Sequence, residues 1–489
     1  MLSLKSVDLK KEKIESLVIP VCEDKNIHDD KIISSLVDTA KTVKAFNGAK
    51  EDEIVLYHLS EVKAESIILL GLGKFEKLDA ESLRAMAGKA VKNVIKNKYP
   101  RVLIAVPSAA KINIELQIVL EAMMEGAFLG NHLYDRYKKE KKHRSLRRID
   151  FLVTADEAKT YKRLASRIST VCRGTILTRE WVSMPPNEKR PESFAKSIEN
   201  HARKENLKVT VFNDKELKQK KFGAMLAVAA GSLSKPRLVV LEHNPAKPKK
   251  TIAFVGKGVT FDSGGINLKT TASISEMKMD MAGAAAVAAT LITAARLRIK
   301  HKIVGIIPIV ENMPSGNATR PGDIIQSYGG KTVEIGNTDA EGRLILIDAL
   351  SYAIKKYRPH TVVDLATLTG ACIVALGEKI AGVFSFDEDL AENIIQSGRH
   401  THERCWRMPL PEDYKDLIKS DFADLNNVPA TRAGGAITAA LFLSEFVKET
   451  SWAHIDIAGP AYSKKESAYC GVGGTGFGVR LLCDLLERL

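Results

Sequence analysis

The chain has 489 residues, 45% of them hydrophobic and 27% charged. That globular mix excludes collagen, coiled coil and general disorder as the main state. Lysine and arginine number 73 against 59 acidic residues, a formal charge of +14, which bears on solubility and on steering of anionic partners rather than on fold. The six cysteines, Cys22, Cys172, Cys372, Cys405, Cys470 and Cys483, are far apart with no C-x-x-C pair. Free thiols in a reducing compartment are expected, not a disulfide framework or a thiolate zinc site.

Residues 1–20 contain no continuous apolar run and no small-residue cleavage site, so a secretory signal is not expected and the protein reads as cytoplasmic. Short β-rich runs then alternate with helical patterns, as in βαβ units. The predicted strands are Leu17–Cys22, Ile54–His58, Ser66–Leu70, Val102–Val106 and Ile149–Val153. The predicted helices are Lys31–Phe46, Ala80–Asn97 and Ile114–Asn131. Gly71-Leu-Gly73 follows the third strand, but Glu76 stands where a dinucleotide fingerprint needs its third glycine, so a plain turn is expected there. A basic run from Arg136 to Arg148 has only Asp135, just before it, and Glu140, within it, as nearby acids. It reads as a solvated loop, without the aromatic interleaving of a nucleic-acid motif.

A long helix is predicted over Tyr161–Ser183, broken by Met184-Pro-Pro-Asn187. The expected division is a smaller N-terminal α/β domain at 1–160, a linker helix at 161–185 and a larger α/β domain at 186–489. Strands in the last part are near-continuous apolar runs: Val209–Phe212, Arg237–Leu241, Thr251–Val255, Lys302–Ile309, Thr361–Leu365 and His454–Ile457. They predict a central mixed sheet covered by helices on both faces. The apolar stretch Met281–Arg296 is short and alanine-rich, which suits a packed internal helix better than a bilayer span, and no membrane partner is expected.

Glycines and carboxylates concentrate between Gly256 and Gly370. Gly256-Lys-Gly-Val-Thr-Phe-Asp262-Ser-Gly-Gly265 follows a strand. Lys269 and Met277-Lys-Met-Asp280 lead into the alanine-rich helix. Gly336-Asn-Thr-Asp339-Ala-Glu341-Gly-Arg343 follows a β-like run. Acids at such transitions sit where an open α/β sheet binds ligands. A P-loop is excluded because Thr251 stands in place of its first glycine, and Ser263 lacks the G-x-S-x-G frame of a nucleophile elbow. These motifs hold no histidine or cysteine, which excludes a His-rich or thiolate zinc site. Bringing Asp262, Asp280, Asp339 and Glu341 together requires cations, and two divalent ions meet that need in many hydrolases.

Asn337-Thr-Asp-Ala-Glu-Gly-Arg-Leu344 resembles the signature octapeptide of the leucyl aminopeptidases, the cytosol aminopeptidase family. The two earlier motifs match that family in order and spacing. So do Asp364-Leu-Ala-Thr-Leu-Thr-Gly-Ala371, Gly434-Gly-Ala-Ile-Thr-Ala-Ala440 and Gly474-Thr-Gly-Phe-Gly-Val-Arg480. The resemblance covers the chain from about Tyr161 onward and is looser before it. One departure, Ser183-Met184 where members often have Asn-Thr, lies outside the metal motifs.

The resemblance implies a dinuclear metallo-aminopeptidase that releases N-terminal residues, leucine and other apolar ones preferred, with a metal-bridging water as nucleophile. Asp262 and Glu341 would bridge the ions, Asp339 would complete the first, and Lys257 and Asp280 the second. Lys269 would polarise the scissile carbonyl, and Arg343 would hold a bicarbonate. Met277, Thr367, Leu368 and Gly370 would line the substrate side. The implied cofactors are two divalent ions per subunit, Mn²⁺ or Zn²⁺ with Mg²⁺ also suited to oxygen-rich ligands. The implied partners are peptides with a free N-terminus, and the implied assembly is a homohexamer of two stacked trimers. Two rival readings remain: a two-metal phosphoesterase, and a DNA-binding regulator with which the +14 charge is compatible. His454 is expected to be a packed structural histidine, and nothing argues for Cys372 as a nucleophile.

Overall fold

In the computed structural model, which describes residues 2–489, the apolar runs of the first 160 residues become six strands. These are β1 (Leu2–Lys5), β2 (Ile14–Cys22), β3 (Glu53–Tyr57), β4 (Ala64–Gly73), β5 (Arg101–Ala105) and β6 (Arg148–Leu152). Their sheet order is β1-β6-β5-β2-β4-β3, parallel except for β3 against β4. Leu17, Ile19, Ile67 and Leu69 are fully buried on a face shared with Leu36 and Ala40. Helices start where short polar side chains satisfy their free amides. Asp30 accepts from the amides of Ile32 and Ile33 before the Lys31–Lys41 helix, and Asp79 forms a capping box with Ser82 before Ala80–Lys96.

Gly71 and Gly73 lie inside β4 rather than in the expected turn. A Cβ at Gly71 would meet the Ala49 carbonyl at 1.9 Å, so the glycine serves the close passage of another backbone segment. The basic run lies in the exposed connection before β6 from Arg136 to Arg147, and Arg148 opens that strand. Residues 465–471 belong to this first unit, which otherwise ends at Cys172. Tyr469 donates its hydroxyl to Glu81 at 2.8 Å, and a Cβ at Gly88 would meet the Ala468 carbonyl at 2.7 Å. The division between the units falls inside the Lys162–Ser183 helix, between Cys172 and Arg173.

The second unit, residues 173–464 and 472–489, is built on a nine-stranded mixed sheet. Its strands include β7 (Lys208–Phe212), β8 (Arg237–His243), β9 (Thr251–Gly256), β10 (Gly258–Asp262) and β11 (Lys302–Asn312). After β12 (Ile324–Gln326) and β13 (Thr332–Glu334), which form a small sheet of their own with the later strand Leu425–Asn426, come β14 (Thr361–Ala366), β15 (Ala381–Ser385) and β16 (Cys405–Arg407). β17 (Leu425–Asn426) and β18 (Ser451–Asp456) follow. The main order is β16-β15-β18-β14-β9-β11-β8-β7, with β10 beside β11. The central strands β18, β14, β9 and β11 are parallel, so their C-terminal ends share one edge.

The apolar segment Met277–Leu297 is long and apolar enough to cross a membrane by length and composition, but most of it is buried inside the fold. Lys189 is buried as well, and its Nζ donates to the carbonyls of Trp181, Val182 and Lys278 at 2.8, 3.0 and 2.7 Å. Burial pulls its pKa well below the ordinary lysine value. Three acceptors nonetheless match the three hydrogens of an ammonium, and a neutral amine would leave one carbonyl unpaired. This lysine ties the end of the Lys162–Ser183 helix to the segment between Met277 and Asp280.

Candidate metal centre

At the shared strand edge, β9 runs into Lys257, β10 ends on Asp262, and the Glu341–Tyr357 helix begins on Glu341. Carboxylate oxygens of Asp262, Asp280 and Glu341, all buried, lie within 4.8 Å of one another. Asp339 stands at the rim, its side chain 32% exposed. The ammonium of Lys257 lies 2.8 Å from Asp280 and 2.8 Å from Glu341, and donates to the Thr367 carbonyl at 2.8 Å. Lys269 lies 2.8 Å from Asp262 and 2.6 Å from Asp339. The four acids and two lysines read from the sequence therefore meet in one place. Glu341 Oε1 and Asp339 Oδ1 meet their ammonium groups at ion-pair distance but outside hydrogen-bond geometry. Asp280 Oδ2 is buried with no hydrogen-bond partner.

The electrostatics follow from burial. Burial raises the pKa of Asp262 and Asp280, and neighbouring Glu341 adds to the rise. Burial also opposes ionised Glu341, but Lys257 and Lys269 outweigh it and hold its carboxyl low. Both lysines lose stability as cations on burial, yet the surrounding carboxylates keep them charged above the ordinary value. Acids this crowded are satisfied either by two ammonium groups or by cations stronger than these. An unpartnered buried oxygen at Asp280 and three converging carboxylates fit hard divalent ions.

Two glycines let the chain approach this closely. A Cβ at Gly342 would meet Lys257 Cε at 2.6 Å and Nζ at 2.7 Å. Gly264 has φ +89°, and a Cβ there would meet Asp339 Oδ1 at 2.8 Å.

Two asparagines hold the frame and were not singled out in the sequence. Asn312, at the end of β11, donates to Asp262 Oδ1 at 2.8 Å and to the Thr338 carbonyl at 3.0 Å. Asn427 accepts from the amides of Gly336 and Asn337 and donates to the Asn337 carbonyl. Its own carbonyl receives Arg343 Nη1 at 2.6 Å. Arg343 is buried, which pulls its pKa down to about 10, and its Nε has no partner. A buried guanidinium with an unused donor suits a small planar anion.

On the substrate side, Thr367 donates to Asp280 at 2.7 Å, so it touches the acid cluster directly. The Leu368 amide and the Thr369 hydroxyl both donate to Asp456, at 3.2 and 2.7 Å. Asp456, fully buried at the end of β18, is a third residue the sequence reading passed over. Gly370 faces open space, with nothing within 4 Å of a built Cβ, and Met277 is half-buried beside Lys278. His454 is buried, stacks on Phe384 and meets Asp364 at 2.6 Å across paired strands, the packed role expected of it. Cys372 is buried too, its thiol pushed up to about 12 by burial, which disfavours a thiolate.

Known proteins share this arrangement of elements. The catalytic-domain model of the cytosol aminopeptidase family matches residues 176–483, and its N-terminal-domain model matches residues 21–141. A probable cytosol aminopeptidase of Syntrophotalea carbinolica is 44% identical over 452 residues, 91% of this chain and 90% of that protein. One from Chlorobium phaeobacteroides is 40% identical over 98% of each chain. A solved structure, the bottromycin maturation enzyme BotP in complex with Mn, superposes with a TM-score of 0.87 at 31% identity, covering 97% of this chain and 99% of that one.

Proposed function

Because the chain belongs to the cytosol aminopeptidase family of metal-dependent peptidases, we propose that it releases N-terminal residues, leucine and other apolar ones preferred, from peptides with a free amine. The observation that carries this reading is the convergence of three buried carboxylates, with an unpartnered oxygen on Asp280, beside two lysines. Asp262 and Glu341 would bridge two divalent ions, Asp339 would complete the first, and Lys257, as a neutral amine, and Asp280 would complete the second. The donor set is almost all oxygen, which suits Mn²⁺ and Mg²⁺ and accepts Zn²⁺. When bound, such ions supply Lewis acidity and acidify water to near neutral pH.

The chain's own groups do the rest. Lys269 stays a cation among Asp262 and Asp339, so it stabilises the oxyanion that develops on the scissile carbonyl rather than accepting a proton. Removing one such donor costs about 10²- to 10³-fold in rate. Arg343, anchored on the Asn427 carbonyl, would hold a bicarbonate through its unused donor, and that anion would carry the proton. The loop Thr367–Gly370 and Met277 would seat the apolar side chain. The same reading carries a homohexamer in the cytoplasm, tested by light scattering on the purified chain.

The deciding assay compares leucine p-nitroanilide with its N-acetyl derivative, each with and without chelator. Cleavage of the free-amine substrate alone, abolished by chelator and restored by Mn²⁺, supports the proposal. Equal rates on both substrates, or chelator-resistant cleavage, would sink it.

A further inference from the structure

The second unit carries a surface cavity of about 790 Å³ away from the acid cluster. Its lining includes Lys208, Lys220, Lys221, Lys302, Lys355 and Lys356 against a single acid, Glu242. Glu242 is paired with Lys208 at 2.9 Å. The other five lysines have no carboxylate at ion-pair distance among the described residues. Surface lysines usually sit beside acids or spread out, because like charges converging on one cavity repel. Here they come from three separate places: β11, the last turn of the Glu341–Tyr357 helix, and the Lys220-Lys221 pair just before the Gly223–Ala229 helix.

The other walls are aromatic. Phe212, Tyr328 and Tyr357 are half-buried and line the cavity, and Tyr352 packs beneath them. Phe212 and Tyr328 lie 6.0 and 5.7 Å from Tyr352, edge to face, and Tyr357 lies 6.2 Å from it, so the rings brace one another. Three of the ammonium groups rest over these rings, Lys220 on Phe212 at 5.1 Å, Lys302 on Tyr357 at 5.7 Å and Lys355 on Tyr328 at 5.6 Å. Those contacts hold the lysines near the cavity before any ligand arrives. The C-terminal dipole of the Glu341–Tyr357 helix contributes only about half a negative charge, too little to account for five unpaired lysines.

We propose that this cavity binds a nucleoside polyphosphate, with the phosphates among Lys220, Lys221, Lys302, Lys355 and Lys356 and the base against the rings of Phe212, Tyr328 and Tyr357. Ligand sites of about 300 to 1,000 Å³ are usual for molecules of this size. Phosphate oxygens are met by ammonium point charges, and a base stacks on aromatic faces, which Lys220, Lys302 and Lys355 uncover as they turn from the rings to the phosphates. The helix that ends in this cavity begins at Glu341, about 24 Å away at 1.5 Å per residue. β11 likewise runs from Lys302 here to Asn312 at the acid cluster. The site is therefore separate from the peptidase centre but tied to it by two rigid elements.

The test titrates a trace of fluorescently labelled ATP with the full chain and reads anisotropy, with tripolyphosphate and a short single-stranded oligonucleotide as competitors. The expected result is saturable binding that weakens with salt, about tenfold or more weaker in the K302Q/K355Q/K356Q variant, while hydrolysis of leucine p-nitroanilide is unchanged. A second variant, K220Q/K221Q, should weaken binding in the same sense and covers the case in which the first fails to fold. ATP should displace the label at lower concentration than tripolyphosphate. Equal competition by the two would overturn the nucleotide assignment, since charge alone would then suffice. Displacement by the oligonucleotide but not by ATP would overturn it in favour of a nucleic-acid face. Absence of binding, or binding indifferent to both variants, would overturn the site itself.

Discussion

Replacing Gly342 by alanine tests whether the close packing of Lys257 on the first turn of the Glu341–Tyr357 helix is required. The new methyl would lie 2.6 Å from Lys257 Cε and 2.7 Å from Nζ. Carbon contacts relax at about 3.5 to 4.0 Å, so the lysine must retreat by roughly 1 Å. Lys257 has no slack for that, since it is held at 2.8 Å by Asp280, Glu341 and the Thr367 carbonyl together. Alanine would favour the helix by about 1 kcal/mol at most. Each charge-assisted hydrogen bond lost costs about 1.5 to 3 kcal/mol net. Losing the one to the Thr367 carbonyl therefore outweighs the helix gain by about 0.5 to 2 kcal/mol, and the ion pairs with Asp280 and Glu341 weaken as well. A displacement of about 1 Å among aligned groups also costs on the order of 10²-fold in rate. Gly342→Ala should show a lower Tm and a kcat on leucine p-nitroanilide lower by about that factor. Gly370→Ala is the comparison, because nothing lies within 4 Å of its new methyl, and it should keep the parent Tm. Wild-type kcat with an unchanged or raised Tm in Gly342→Ala would refute the packing argument.

Arg343→Ala should lower kcat, with poor rescue by added bicarbonate; wild-type kcat in bicarbonate-free buffer would remove the arginine's role. Lys189→Met leaves three carbonyls without their donor, at about 1 to 3 kcal/mol for each that stays buried and unpaired. Urea unfolding of the second unit should move to lower concentration, and an unmoved midpoint would contradict the ammonium assignment. His28 is buried and donates Nε2–H to the Pro20 carbonyl at 2.8 Å. Burial lowers its pKa below 6.5, with Lys111 adding to the fall and Asp29 and Asp30 opposing it. A folded pKa below the unfolded one means that unfolding takes up a proton, so its contribution to stability is lost as pH falls below about 6.5. The first unit's Tm should drop across that range in the wild type and drop less in His28→Gln; parallel curves would show that other groups set the slope.

The strand-forming runs were legible because burial on both faces leaves near-continuous apolar sequence, and the observed strand ends fall within three residues of the predicted ones. The sheets also contain β1, β10, β15 and β16, which the apolar runs do not mark: β1 and β16 are only four and three residues long, and β10 and β15 carry a glycine within five residues. The acids of the centre were legible because glycines mark them at strand ends. Asn312, Asn427 and Asp456 were not, since each acts through hydrogen bonds that reach residues 26 to 91 positions away. A polar residue closing an apolar run, as Asn312 closes β11 and Asp456 closes β18, was the signal available. Nor does composition mark residues 465–471 as part of the first unit, because that contact is made by a short loop of ordinary polar residues.

That late segment has a consequence for how the protein is made. Helix Ala80–Lys96 leaves the ribosome early, but the loop that covers it at Gly88 and Glu81 emerges roughly 300 residues after Cys172. At about 5 to 20 residues per second, the first unit waits some 15 to 60 s with that face uncovered. During translation it is a folding intermediate with an exposed patch rather than a finished domain. Early termination anywhere before Lys465 would release a chain whose N-terminal unit still lacks its cover, a natural target for chaperones and proteases.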